Sequence, residues 1–198
     1  MKEGSDNKSW FDFTNFEDKI RVLNDLNRSI QVLSDIRLKT KAQDDISRWK
    51  QAVDKWKYHS GCGWQEDLAE VDVKFYVFEN VRFLAALTCG ENNAVECAIT
   101  FLEHDPYYFR SGYMKGKLLV RLKHISLSKK QIQRLQRVVV NAIYMAKPKN
   151  EFCYYARLIK NIETPEFRET LKTLPVPSEP YLKVRLERCL EDVYWVRR

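Results

Sequence analysis

The chain has 198 residues, 44% of them hydrophobic and 31% charged, with six Gly, six Pro and a formal net charge of +7. That length buries roughly 70% of the surface the unfolded chain exposes without metal or disulfide staples, and so few turn-forming residues leave little room for an all-β fold. The charge is uneven: residues 1–102 hold 14 Lys/Arg against 17 Asp/Glu, and residues 103–198 hold 20 against 10.

The sequence predicts a loose polar arm over 1–14, able to dock Trp10, Phe11 and Phe13, and then a single all-α domain over 15–198. Ile20, Leu23, Leu26, Ile30, Leu33 and Ile36 recur at three and four residues, the face of a helix over 16–38. Ile46, Trp49, Val53 and Trp56 mark a second helix over 42–58, stopped by the glycines of HSGCG. Between Trp64 and Leu87, DVKFYVF alternates like a strand, but Leu68, Val71, Phe75, Phe78, Arg82 and Ala85 trace a longer helical stripe, so a helix is expected. Further helices are expected at 91–103, 106–125, 128–147, 151–162, 164–173 and 179–195, with Ser128 an N-cap and Pro148 just past a helix end. Short loops make consecutive helices antiparallel neighbours, a chain of helical hairpins.

Three stretches share a plan: AITFLEHDPYYFRSGYMKGKLL, ARLIKNIETPEFRETLKTL and SEPYLKVRLERCL. In each, an X-Pro pair (Asp105-Pro106, Thr164-Pro165, Glu179-Pro180) lies where one helix yields to the next, and the first two continue Phe-Arg, as Phe109-Arg110 and Phe167-Arg168. Proline suits a first helical turn, whose N–H has no intrahelical partner. Over about residues 92–195 this pattern resembles HEAT-like repeats, in which an apolar helix, an Asp-Pro turn and a second helix with an early Arg stack into a solenoid. The resemblance implies a curved binding surface and no particular chemistry. Fold class is thus all-α, either a short HEAT-like solenoid of antiparallel hairpins or an irregular helical bundle.

Pro106 to Asn150 contains eleven Lys/Arg and no acidic residue. Arg110, Lys115 and Lys117 fall near an expected helix start, where free N–H groups and the dipole attract anions, although the four aromatics around them also suit a packed corner. On the next helix Lys130, Arg134 and Arg137 lie opposite an apolar face of Ile132, Leu135, Val139, Ala142, Ile143 and Ala146. Lys117, Arg121 and His124 recur on the helix before it. Side by side, the two helices make a basic plate, with ordinary solvation of a charged face as the plain alternative.

Catalysis has little support. GYMKGK lacks the spacing and GK[ST] ending of a phosphate-binding loop, His59, His104 and His124 are dispersed, and HSGC has no second metal-ligand pair. No enzyme, cofactor or metal is expected, and Asp105 reads as a helix N-cap. Five scattered cysteines without CxxC pairs read as reduced and mostly buried, in the cytoplasm. No apolar run is long enough for a membrane span. The expected role is a scaffold, adaptor or complex subunit whose basic face around 110–147 engages an acidic protein partner; the alternative is a nucleic-acid module using the same face on phosphates. Oligomeric state is not readable from the sequence.

Overall fold

A computed structural model describes residues 10–40, 42–60, 77–78, 80–108, 110–145 and 150–191. Among them are nine α-helices and no strand: α1 (Phe16–Thr40), α2 (Gln43–Ser60), α3 (Val81–Thr88), α4 (Asn92–His104), α5 (Ser111–Leu122), α6 (Lys129–Tyr144), α7 (Phe152–Ile162), α8 (Pro165–Thr173) and α9 (Pro180–Leu190). The all-α expectation holds, with most boundaries within a residue or two of those expected. Among the described residues no helix is long and apolar enough to cross a membrane.

Two expected helices differ. The one proposed for 64–87 lies largely outside the described residues, and its end is broken: Asn80 is extended and its side chain accepts from the Arg82 N–H at 2.8 Å, opening α3 as a new helix. The cap resets the helical phase. Phe83, Leu84 and Leu87 are buried, whereas Arg82 and Ala85, on the expected stripe, are exposed. The helix expected from 106 begins only at Ser111. Asp105 is left-handed, at φ 43°, and closes α4 as its C-cap, and Arg110 is left-handed again at φ 71°, so Pro106 sits in the corner and outside any first helical turn. Asp105 is therefore not an N-cap. At the other two X-Pro pairs the expectation holds, with Pro165 and Pro180 in the first turns of α8 and α9.

Packing follows a two-row plan. Successive helices pack, as α1 with α2, α3 with α4, α6 with α7 and α8 with α9, and so do helices two apart: α3 with α5, α4 with α6, α5 with α7 and α7 with α9. Of these, α4 with α6 and α5 with α7 run parallel. Gln131 at the start of α6 donates to Asn92 and Glu96 at the start of α4, at 3.2 and 2.7 Å, and Arg134 one turn on reaches Thr100 and Glu103. In the other row, Gly112 faces Glu151, Gly116 faces the Tyr154 ring, and Asn161 Nδ2 donates to the Leu122 and Ile125 carbonyls at 2.9 and 3.1 Å. Gly112 and Gly116 share one face of α5, four residues apart, and a Cβ on Gly116 would stand 3.0 Å from Tyr154. The glycines let α7 lie close against α5.

The core runs between the rows through Leu87, Ile99, Phe101, Leu118, Leu119, Val139, Ile143, Tyr155 and Leu158. The end of the N-terminal arm belongs to it: Phe11 is buried among Phe13, Phe16 and Phe78, and Trp10 packs edge-on against Phe83 at 5.5 Å. Phe16, Ile20 and Leu23 anchor α1, while no described side chain from Asn24 through Trp56 is fully buried. The far part of the α1–α2 hairpin thus contributes little to this core.

Candidate binding surface

Of the seven cations expected to form a binding face, two are used internally. Lys115 is only 2% exposed; its ammonium lies 2.7 Å from the Asp105 carboxylate and 3.9 Å from that of Glu151. This corrects its assignment as a surface cation. Burial of a charge requires a partner, and the partners sit at the end of α4 and the start of α7, so one side chain pins the corner to the neighbouring helix of its own row. The same two carboxylates act further: burial, with their charge, pushes the Tyr155 hydroxyl well above its ordinary pKa.

Arg134 is the second. Its side chain is 15% exposed and forks between two α4 carboxylates, with Nε donating to Glu103 at 2.8 Å and the two terminal nitrogens reaching Glu96, Glu103 and Thr100. The hydrogen bond to Arg134 holds Glu103 below its usual carboxylate value, and the reciprocal bond raises the guanidinium. Arg134 was expected opposite the apolar face of α6. Because α6 is flanked by α4, α7 and α9, its contacting arc is broad and also takes in Gln131 and Val138.

The remaining five are at the surface, but on different rows. Lys130 and Arg137 are exposed on α6; Arg110, at the α5 N-cap, and Lys117 are exposed on the other row, and Arg121 is half-buried with Nη1 donating to the Lys117 carbonyl at 3.0 Å. Since α5 packs chiefly on α3, α4 and α7, and α6 on α4, α7 and α9, the expected α5–α6 plate is divided. What lies beside α5 is α7. Neither helix contains an Asp or Glu, and α7 adds exposed Arg157 and Lys160. Arg157 lies over the Tyr154 ring, 5.8 Å from its centroid, and Tyr154 in turn packs against Gly116. Tyr113, Lys117 and Val120 recur at three and four residues along the outer side of α5, with Tyr113 73% exposed. The opening corner is thereby split: Tyr108 is buried with its hydroxyl on the Met114 sulfur, while Tyr107 and Tyr113 face outward. Phe109 lies outside the described residues.

Arg157 and Lys160 were not singled out in the sequence. The usable signal was the acid-free run FCYYARLIKNI, but only the parallel register of α5 and α7 gives it a neighbour.

Four cysteines are free thiols, with Cys97 and Cys189 buried and pushed up to about 12 by burial, Cys153 half-buried and Cys89 exposed. Burial is thus less general than expected, and Cys62 lies outside the described residues. Among the described residues no cluster of His, Cys, Asp and Glu could hold a metal ion. No protein family matches the chain, and neither a curated protein nor a solved structure is significantly similar to it.

Proposed function

We propose that this protein is a non-catalytic binding protein, a short HEAT-like stack of helices working in the cytoplasm, that holds an acidic protein partner on the outer face of α5 and α7. The observation that carries the reading is the parallel pairing of two helices that lack any acidic residue and that present Lys117, Arg121, Arg157 and Lys160 together. Elsewhere several cations are answered by acids. Lys115 is met by Asp105 and Glu151, Arg134 by Glu96 and Glu103, and Arg168 by Glu163 at 3.1 Å, and a face built from two helices that contain no Asp or Glu suits an acidic external complement. The two-row packing of helices two apart supports the solenoid reading, because repeated hairpins stack in this way.

A second reading has its own observation. Tyr113 stands one turn from Lys117 with its ring exposed, and an aromatic beside cations suits stacking on bases next to phosphate contacts. One experiment separates the two. Reversing Lys117, Arg121 and Arg157 to Glu is expected to leave the helical circular dichroism and melting temperature intact and to abolish capture of the native partner. Salt decides its class. For nucleic acid, log affinity falls against log salt with a slope of about −0.7 to −0.9 per phosphate contact, whereas an acidic protein partner shows a milder effect, chiefly in association rate. Undiminished capture by the triple variant would refute both readings.

A further inference from the structure

Because α4 and α6 run parallel, their C-terminal ends lie side by side, and the negative poles of both helix dipoles meet there. A cleft of about 570 Å³ opens at that place, between these ends, the first turns of α1 and the Pro106–Tyr107 corner. Its walls hold the carboxylates of Glu17, Glu103 and Asp105, the imidazole of His104 and the rings of Tyr107, Tyr144 and Tyr155, and among the described residues that line it there is no Lys or Arg. Two of its acids are balanced from behind the wall, Glu103 by Arg134 and Asp105 by Lys115, while Glu17 is exposed in the first turn of α1.

The carbonyl end of α6 already receives a cationic group of the chain itself. Arg185 reaches it from α9 and donates from Nη1 to the carbonyls of Ala142 and Met145, at 3.2 and 2.7 Å, although burial works against its charge. Ala142 and Met145 also line the cleft, so a guanidinium already sits against the far side of its wall. Tyr107 and Tyr144 are exposed at the cleft, and an aromatic ring within reach of a cation adds a second attraction, about 0.5–2 kcal/mol in general. The volume falls within the range of small-molecule sites.

We propose that this cleft binds a small organic cation, a protonated amine or guanidinium whose charge lies between Glu17 and the ends of α4 and α6 and whose hydrocarbon part rests on the rings of Tyr107 and Tyr144. The site is distinct from the α5–α7 face. Titration of the full chain with cadaverine and with agmatine, followed by amide shifts in ¹H–¹⁵N spectra, tests it, with glutarate as an anion of similar length. Both cations are expected to bind with a dissociation constant in the millimolar range or below and to shift resonances around Glu17, Asn141 and Tyr144, and glutarate is expected to leave them unmoved. Glu17→Gln should weaken binding about fivefold, the effect of one partly screened charge. Asn141→Lys, which places an ammonium at an exposed position of the wall, should abolish it. Both positions are exposed, so unchanged circular dichroism is expected for each variant. Lys117→Glu, on the other face, should bind the amines as the wild type does even where it loses the partner. The proposal is overturned if neither amine shifts these resonances, if glutarate binds equally, or if both cleft variants bind normally. A blocked lysine peptide that binds where cadaverine does not would also overturn it, by placing the cation on a partner's side chain.

Discussion

At Lys115 and Arg134 the residue type misled in a way that geometry explains. Each stands in a run without acids, and each finds its acids outside that run, on other elements: Lys115 at Asp105 and Glu151, Arg134 at Glu96 and Glu103. Helical spacing shows which face a cation occupies on its own helix, but not which helix lies opposite. Lys117 differs from Lys115 by two positions and, on a helix, by more than half a turn, which places one ammonium inside and the other in solvent. The consequence for stability is large. Lys115→Met removes the charge that balances two largely buried carboxylates and is expected to cost about 3–5 kcal/mol in denaturant unfolding, whereas Lys117→Met should stay within about 0.5 kcal/mol. Equal midpoints for the two variants would show that the Lys115 cluster carries no such role.

Among elements, those with a strong three-and-four pattern and a recognisable cap were legible in the sequence. Ser128 shows this best, since its side chain accepts from the Gln131 N–H while Gln131 reaches back to the Ser128 N–H, the reciprocal cap that opens α6. The α4–α5 corner was not legible, because two non-glycine residues, Asp105 and Arg110, adopt left-handed backbone there and delay the helix that Pro106 announces. Nor does SGYMKG declare its purpose, which is the close approach of α5 to α7. Gly112 and Gly116 offer a comparison. At Gly112 a Cβ would meet the end of the Glu151 side chain at 3.0 Å, a flexible neighbour, but at Gly116 it would meet the Tyr154 ring at 3.0 and 3.1 Å, an aromatic wedged between two helices. Alanine within a helix gains up to about 1 kcal/mol over glycine, and overpacking a tight contact costs about 1–3 kcal/mol. Gly112→Ala is therefore expected to raise the melting temperature or leave it unchanged, and Gly116→Ala to lower it. A higher melting temperature for Gly116→Ala would mean that α5 and α7 are not held at this distance.

For the whole molecule, hydrophobic pattern pointed to an all-α fold and charge asymmetry to a candidate basic side, but where that candidate falls depends on pairing between helices two apart. That pairing moved the candidate face from α5–α6 to α5–α7. It also sorts the chain into parts of unequal stability. The helices α4 to α7 are each flanked by several others and supply most of the fully buried side chains, whereas among the described residues the α1–α2 hairpin beyond Leu23 buries no side chain fully: Leu26, Ile30, Leu33, Ile36, Ile46, Trp49 and Val53 are half-covered, and Trp56, half-covered too, packs against the core. Two helices cannot enclose an apolar seam between them, and local opening is cheapest where few apolar groups are buried. Native-state hydrogen exchange should therefore show amides from Asp25 to Trp56 exchanging through local opening at least a hundredfold faster than those of Leu118, Leu119, Val139 and Leu158, a gap of about 2.7 kcal/mol. The first turns of α1 should behave differently. Ile20 and Leu23 lie in the core, and Asn24 Nδ2 donates to the Tyr107 carbonyl at 2.9 Å, so amides near them should exchange with the slow set. Uniform protection from Phe16 to Trp56, equal to that of α5 and α6, would show that the hairpin unfolds only with the stack and that its seam is covered by something more than its own two helices.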